Sequence, residues 1–359
     1  MTIQPHPVIG PWKLADIKHI SKNQLNVLSC FHCGGGSTMG YKLAGYNVLG
    51  GVEIDPQMMA IYKINHNPKH SFMMGVQEFN EIPVINLPSE LSNLDILDGS
   101  PPCSVFSMAG KREKKWGDEH HFREGQVKQR LDDLFFHFID TAKNLQPKVL
   151  IAENVKGLIS GAAKGYVKEI FTAIKAAGFL PQLFLLNASR MGVPQRRQRV
   201  FFIAQRQDLQ LPKLILNFTE PIISIKTAFI DADTNGKGLT ELARSYWEKT
   251  TPGFNFAKAA KGSWFNHCKL AWSHAAPTLC SASSFSHPTE PRHLSNHELI
   301  RIQSFPEDYN FLKMDPKYIM GMSVPPLMTQ RIALEIALQW FNIDYNQTPA
   351  QLLKPLTAE

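Results

Sequence analysis

Short apolar runs that each stop on glycine, proline or an acid set the rhythm of the first two hundred residues, and helical periodicity fills the gaps. Residues 26–31 give way to Gly34-Gly35-Gly36, residues 46–54 end on Glu53-Ile54-Asp55, residues 94–97 are cut by Gly99-Ser100-Pro101-Pro102, and residues 148–152 run into Glu153-Asn154. Residues 183–186 and 200–204 read as two more strands around a polar loop. Leu131, Leu134, Phe135, Phe138, Ile139 and Ala142 share one helical face, and Val167, Ile170, Phe171 and Ile174 repeat that spacing. Strands alternating with helices of this length predict an α/β fold, a doubly wound, mostly parallel sheet covered on both faces.

The rhythm fades after about residue 205, and residues 206–290 are irregular, with Thr251-Pro252-Gly253 and scattered Trp and Phe. A second, smaller domain is expected there. Helical spacing returns at Met328, Ile332, Ile336 and Trp340, a helix able to pack back onto the sheet. The composition, 43% hydrophobic and 19% charged over 359 residues, is globular and excludes a disordered or fibrous chain. No apolar run reaches the roughly 18 residues needed to span a bilayer. The opening residues lack a basic segment followed by an apolar one, so a cytoplasmic location without membrane contact is expected. Five cysteines do not form a disulfide framework. The net charge of +7 hints at an anionic partner.

Several strand ends carry residues fit for chemistry, each with a plainer alternative. A strand followed by Gly34-Gly35-Gly36 is either a ligand loop, with Glu53 at the next strand end placed for ribose hydroxyls, or a tight turn. The order Cys33-Gly34-Gly35-Gly36 is not Gly-x-Gly-x-x-Gly, which counts against a dinucleotide. Cys103 after Pro101-Pro102 is either a thiol held rigidly in an exposed turn or a buried structural cysteine. Glu153 ends the neighbouring strand, as a proton-handling carboxylate or as a helix cap. Arg197 and Arg199 fall on one face of a strand, as an anion clamp or a solvated edge. Cys30-Phe31-His32-Cys33 is a C-x-x-C without a second half, so no metal is expected, and Cys33 is read as a turn position where glycine would be easier.

Together these pieces resemble the C5-cytosine DNA methyltransferase family, in that family's order, from Val27 to about Trp340. Residues 27–40 resemble its cofactor loop, residues 51–55 its ribose-binding acid, and residues 99–107 (GSPPCSVFS) its nucleophile loop. Glu153-Asn154-Val155 matches the Glu-Asn-Val motif, and residues 195–199 the Gln-x-Arg-x-Arg motif. Arg292-His293-Leu294-Ser295, with Glu298, Arg301, Gln303, Phe305 and Pro306, resembles the motif closing the recognition domain. Residues 321–326 (GMSVPP) resemble the last motif, which returns to the cofactor.

The resemblance implies S-adenosylmethionine as cofactor and a Rossmann-like methyltransferase domain. It divides the chain into an extension (1–20), a catalytic domain (21–205), a target-recognition domain (206–315) and a segment returning to the catalytic domain (316–359). It implies that Cys103 attacks C6 of a flipped-out cytosine, that Glu153 holds N3 and the exocyclic amine, that Arg197 holds O2 and that Arg199 supports the loop. The cofactor would touch Phe31, Gly34, Gly35, Gly36, Glu53, Ile54, Pro102, Ser323 and Val324. Duplex DNA would meet Ser104, Lys111, Arg112, Lys114, Lys115 and Gln195. A monomer working opposite a cognate restriction endonuclease is the expected setting.

The chain departs from the family pattern at three places. Cys33 stands where the first loop glycine is usual, Met322 replaces the usual Asn, and Val76-Gln77 falls where an Asp reaches the adenine amine. A tRNA cytosine methyltransferase on the same core, and an inactive DNA-binding relative, are the competing readings; the Cys-Phe-Thr signature of the former is missing from this sequence. The excess charge also has an address. Residues 101–130 carry seven Lys and Arg against four acids, residues 190–199 carry four Arg and no acid, and the remainder balances to zero.

Overall fold

The computed structural model describes residues 11–102, 119–120, 129–130, 133–160, 164–262 and 264–343. In chain order the first half runs β1 (Asn26–Cys30), α1 (Gly36–Leu43), β2 (Asn47–Val52), α2 (Pro56–His66), β3 (His70–Phe72), α3 (Val76–Asn80) and β4 (Ile96–Gly99). Two short paired strands, β5 (Glu119–His120) and β6 (Gln129–Arg130), precede α4 (Leu134–Leu145), β7 (Val149–Val155), α5 (Lys164–Ala176), β8 (Phe179–Asn187) and β9 (Gln198–Arg206).

Seven of these strands form one sheet in the order β3-β2-β1-β4-β7-β9-β8, parallel except for β9, which runs against both its neighbours. This is the doubly wound, mostly parallel α/β sheet that the alternating runs predict. The strand order reverses between β1 and β4, which opens a crevice at their carboxyl ends, where such sheets bind ligands. Both faces are covered. Val27, Ile96, Ile151 and Ile203 point into one core, shared with α1 and α10 (Pro326–Phe341). Their neighbours Leu28, Leu97, Leu150 and Phe202 point into the other, against Phe138 and Ile139 of α4 and Ile170 and Ile174 of α5. That two-sided burial is why these strands are continuously apolar rather than alternating.

One feature of the sheet differs from the sequence reading. The strand β3 has no apolar run of its own, since His70-Ser71-Phe72 is half-buried at the sheet edge. Leu131, placed on the α4 face by its spacing, lies outside the described residues.

Residues 207–315 contain only short elements: α6 (Ile225–Ala228), α7 (Glu241–Lys249), the paired β10 (His267–Lys269) and β11 (Ser284–Ser286), and α8 (Asn296–Gln303). The start of α8 is fixed by Ser295 and Glu298, which cap each other's backbone N–H groups, while Arg292 grips the Glu298 carboxylate with two bonds of 2.8 and 2.9 Å. The chain then turns through α9 (Pro316–Met322) into α10, which lies along α1 with Tyr46 Oη donating to Ala333 O at 2.8 Å. No helix among the described residues is long and apolar enough to cross a membrane.

Candidate active site

The glycine loop joins the end of β1 to α1. Phe31 and Cys33 hold φ of 54° and 49°, and Gly35 has φ of 82°, so the chain coils through the left-handed region there. Cys33 therefore occupies a backbone conformation that glycine would take with less strain, as its place in the motif implied. Its N–H donates to Glu53 Oε2 at 3.0 Å, while Glu53 Oε1 accepts from Asp55 N–H at 3.0 Å. The Glu53 carboxylate is thus aimed before any ligand arrives. Beyond β2, Asp55 caps α2 by accepting from Gln57 and Met58, and Ile54 lies near Gly75, which precedes Val76 and Gln77 at the start of α3.

The return segment closes on this loop. A Cβ at Gly36 would sit 2.3 Å from Val324 O and 2.8 Å from Ser323 Cβ, so only glycine allows that approach. Ser323 is held in turn: its Oγ donates to Ile319 O at 2.8 Å and its carbonyl accepts from Gln303 Nε2 at 2.9 Å. Tyr309 donates its hydroxyl to Gly34 O, a loop contact that no motif flagged. Met322, at the motif's usual Asn, is 44% exposed. The glycine loop, packed against Tyr309, His66 and the return segment, and the pre-aimed Glu53 carboxylate together form a cradle whose acceptor suits the ribose of a nucleoside-bearing cofactor.

Next to the loop, β4 ends in Pro101 and Pro102. Asn154 pins that turn by donating Nδ2 to Pro101 O at 3.1 Å. Cys103 and Ser104, with Lys111, Arg112, Lys114 and Lys115, lie outside the described residues. Glu153 sits at the end of β7, and Arg199 on the adjacent β9 approaches it with Nε 2.9 Å from Oε1. Burial lowers the pKa of Arg199, and the Glu153 charge works in the opposite direction.

Arg197 is more deeply enclosed, at 2% exposure, and burial pushes its pKa down. Its Nη1 donates to Leu279 O at 2.6 Å and its Nη2 to Gly321 O at 3.0 Å, while Nε has no partner among the described residues. Strand alternation puts both arginines on one face; Arg197 stands just before β9, where the charges of Arg199 and Glu153 reach it. The alternation does not show that they divide the work, one gripping the carboxylate and the other tying β9 to two distant backbone segments.

Gln195 is the one expected DNA contact that falls among the described residues. It is wholly buried. Nε2 donates to Gln303 Oε1 at 2.6 Å, and Oε1 accepts from Leu279 N–H at 2.9 Å. Its amide is spent inside the molecule because the backbone turns there to pair Gln195 with Ala276, so it braces the cleft rather than facing DNA. The adjoining Arg196 is the exposed residue.

A switch-point crevice holding a glycine cradle, a Pro-Pro turn and a carboxylate–guanidinium pair defines a class of cofactor-dependent transferase. The profile of the C-5 cytosine-specific DNA methylase family matches residues 25–338, and the chain belongs to that family. It is 27% identical over 390 residues to the Type II methyltransferase M.DdeI of Desulfomicrobium norvegicum, covering 89% of this chain and 90% of that one. It is 27% identical over 350 residues to M.NgoPII of Neisseria gonorrhoeae, covering 88% and 96%. Among solved structures, a prophage-encoded E. coli protein described as a DNA modification methyltransferase superposes with a TM-score of 0.68 at 20% identity, covering 89% of this chain and all of that one. The S. pombe Dnmt2 methyltransferase superposes at 0.57 and 16% identity, covering 88% and 98%. The protein is a DNA cytosine-C5 methyltransferase with S-adenosylmethionine as its methyl donor.

Proposed function

We propose that the chain methylates a cytosine flipped out of a specific duplex DNA sequence, through a covalent bond between Cys103 Sγ and C6 of the base. The observation that carries this reading is the Glu153–Arg199 pair beside the Pro101-Pro102 turn that leads into Cys103. Cytosine C5 is a weak nucleophile, so the ring must be activated by addition at C6. The Cys103 thiolate forms the S–C6 bond, and the C5=C6 pair becomes available at C5. Glu153 faces N3 and the exocyclic amine, with Arg199 holding its carboxylate in place. Arg197 Nε, which has no partner among the described residues, would donate to the pyrimidine O2. S-adenosylmethionine supplies the methyl group as an electrophilic sulfonium. Loss of the C5 proton to a base then returns its electron pair to C5=C6 and expels the Cys103 thiolate.

Phe31, Gly34, Gly35, Gly36, Glu53, Ile54, Pro102, Ser323 and Val324 would line the cofactor cradle. Residues 21–205 and 316–359 would form the catalytic body, and residues 206–315 would read the target. Unstacking the base costs a few kcal/mol. Lys111, Arg112, Lys114 and Lys115 supply charge suited to closing on phosphates. The Type II names of the relatives support a partnership with a restriction endonuclease cutting the same site. Incubation with labelled S-adenosylmethionine and either duplex DNA or tRNA tests the reading. Label in 5-methylcytosine of DNA supports it, label in tRNA alone overturns the substrate, and no transfer to either leaves an inactive relative. Bisulfite sequencing of DNA from expressing cells gives the target motif.

A further inference from the structure

An aspartate stands inside the sheet where the neighbouring positions are apolar. Asp98 lies on β4 directly opposite Ser29 of β1, and it is 5% exposed. Its Oδ2 accepts from Ser29 Oγ at 2.8 Å and from Ser37 Oγ at 2.7 Å, and its Oδ1 accepts from Tyr41 Oη at 3.1 Å. Ser37 and Tyr41 are one turn apart on α1, and Ser37 follows the last glycine of the loop. One carboxylate therefore joins three elements: the strand entering the loop, the helix leaving it, and the strand that carries the Pro101-Pro102 turn.

We propose that Asp98 is a positioning residue for the cofactor, holding the first turn of α1 against β1 and β4 so that the glycine loop keeps its ligand-accepting shape. The inference rests on the reading of that loop as the S-adenosylmethionine cradle. A buried carboxylate is costly, and well-packed apolar residues would fill the same space more cheaply. What the carboxylate provides instead is directional. Three hydroxyl donors converge on it, and bonds to an ionised acceptor are stronger than bonds to a neutral one.

The groups that act on Asp98 come from four elements: Ser29 and Cys30 on β1, Ser37 and Tyr41 on α1, Tyr62 on α2 and Glu153 on β7. None of these is a cation. Burial raises its pKa to about 6, Glu153 adds to the rise, and the three hydroxyl bonds oppose it. Protonation below that value converts one oxygen from acceptor to donor and loosens the clamp. Cofactor affinity should therefore weaken in mild acid.

The test is the dissociation constant of S-adenosylmethionine for the full chain, by titration calorimetry, together with kcat at saturating cofactor and the melting temperature without cofactor. Asp98→Asn keeps the shape but removes the charge. It should weaken binding about tenfold while kcat stays within about twofold. Between pH 7.5 and 5.5 the wild-type affinity should fall, and that of Asp98→Asn should stay flat. Ser37→Ala removes only the bond to α1 and should weaken binding a few-fold, which decides the matter if Asp98→Asn does not fold. A lowered melting temperature with unchanged affinity and an unchanged pH profile overturns the proposal, because Asp98 then only stabilises the fold. Wild-type chain that fails to bind S-adenosylmethionine overturns the reading of the loop and the proposal with it.

Discussion

Arg199 Nε lies 2.9 Å from Glu153 Oε1 across two antiparallel strands, and each side chain is only 12% exposed. A pair this dry is held by mutual dependence, since either charge alone would be buried without compensation. Arg199 thereby fixes the direction of the carboxylate at the mouth of the switch-point crevice.

Glu153→Gln separates geometry from charge. The amide oxygen still accepts from Arg199, but the guanidinium is left buried without its counter-charge, so the fold should lose about 3–5 kcal/mol. The reaction loses a group that can hold a protonated ring nitrogen, and kcat should fall by roughly 10²–10⁴. Urea denaturation and single-turnover methylation measure the two effects separately. Comparable turnover in the variant would remove Glu153 from the chemistry.

Gln195→Ala tests whether this residue braces the cleft or touches DNA. The change orphans Leu279 N–H and Gln303 Oε1 in the interior, for an expected loss of about 2–4 kcal/mol in the free energy of unfolding measured with urea. The salt dependence of DNA binding should not change, because no phosphate contact is lost. A shallower salt slope with normal stability would return Gln195 to the DNA surface.

The contrast between Gln195 and Glu53 shows what the sequence could carry. Glu53 was readable because an acid at the second strand end of a doubly wound sheet has one place to go, and its two backbone bonds keep it there. The sheet itself followed from runs of buried residues on both faces. Gln195 was placed by motif order, but its environment comes from Leu279 and Gln303, more than eighty residues away in the chain. Asp98 was passed over for a related reason. A charge in a run of apolar residues reads as an interruption until folding brings Ser29, Ser37 and Tyr41 around it. The edge strand β3 escaped because half-buried His70-Ser71-Phe72 has neither apolar continuity nor alternation.

Two imidazoles under the cofactor loop give the fold an acid sensitivity. His32 stacks on Tyr62 with centroids 3.7 Å apart, and His66 approaches Gly34 O with Nε2 at 3.1 Å. Burial lowers their pKa values to about 4 and about 3 respectively. Since both lie below the unfolded value, the unfolded chain takes up these protons first as pH drops. Stability is therefore intact above about pH 6.5 and declines below it, by roughly 3 kcal/mol per imidazole at pH 4. Asp98, raised to about 6, binds its proton first in the folded state and offsets part of that decline. Urea unfolding of wild type and His66→Phe between pH 7 and pH 4.5 should show a shallower loss in the variant. Equal slopes would mean that His66 does not report on folding.

Gly321 joins the return segment to the arginine. A Cβ there would lie 2.5 Å from both Cys280 C and Ser281 N, which are backbone atoms that cannot swing aside. The Gly321 carbonyl accepts from Arg197 Nη2, and Leu279, one residue before the clash, accepts from Nη1. Gly321→Ala must part the two segments between which Arg197 is slung. Overpacking of this kind costs about 1–3 kcal/mol. Because the strain is relieved at the arginine, single-turnover methylation at saturating DNA and cofactor should slow by about tenfold or more, given how sharply rate depends on placement. Gly165→Ala on α5, where a Cβ would meet nothing within 4 Å, serves as the control and should be slightly stabilising with an unchanged rate. A wild-type rate in Gly321→Ala would show that the position of Arg197 does not govern the methyl-transfer step.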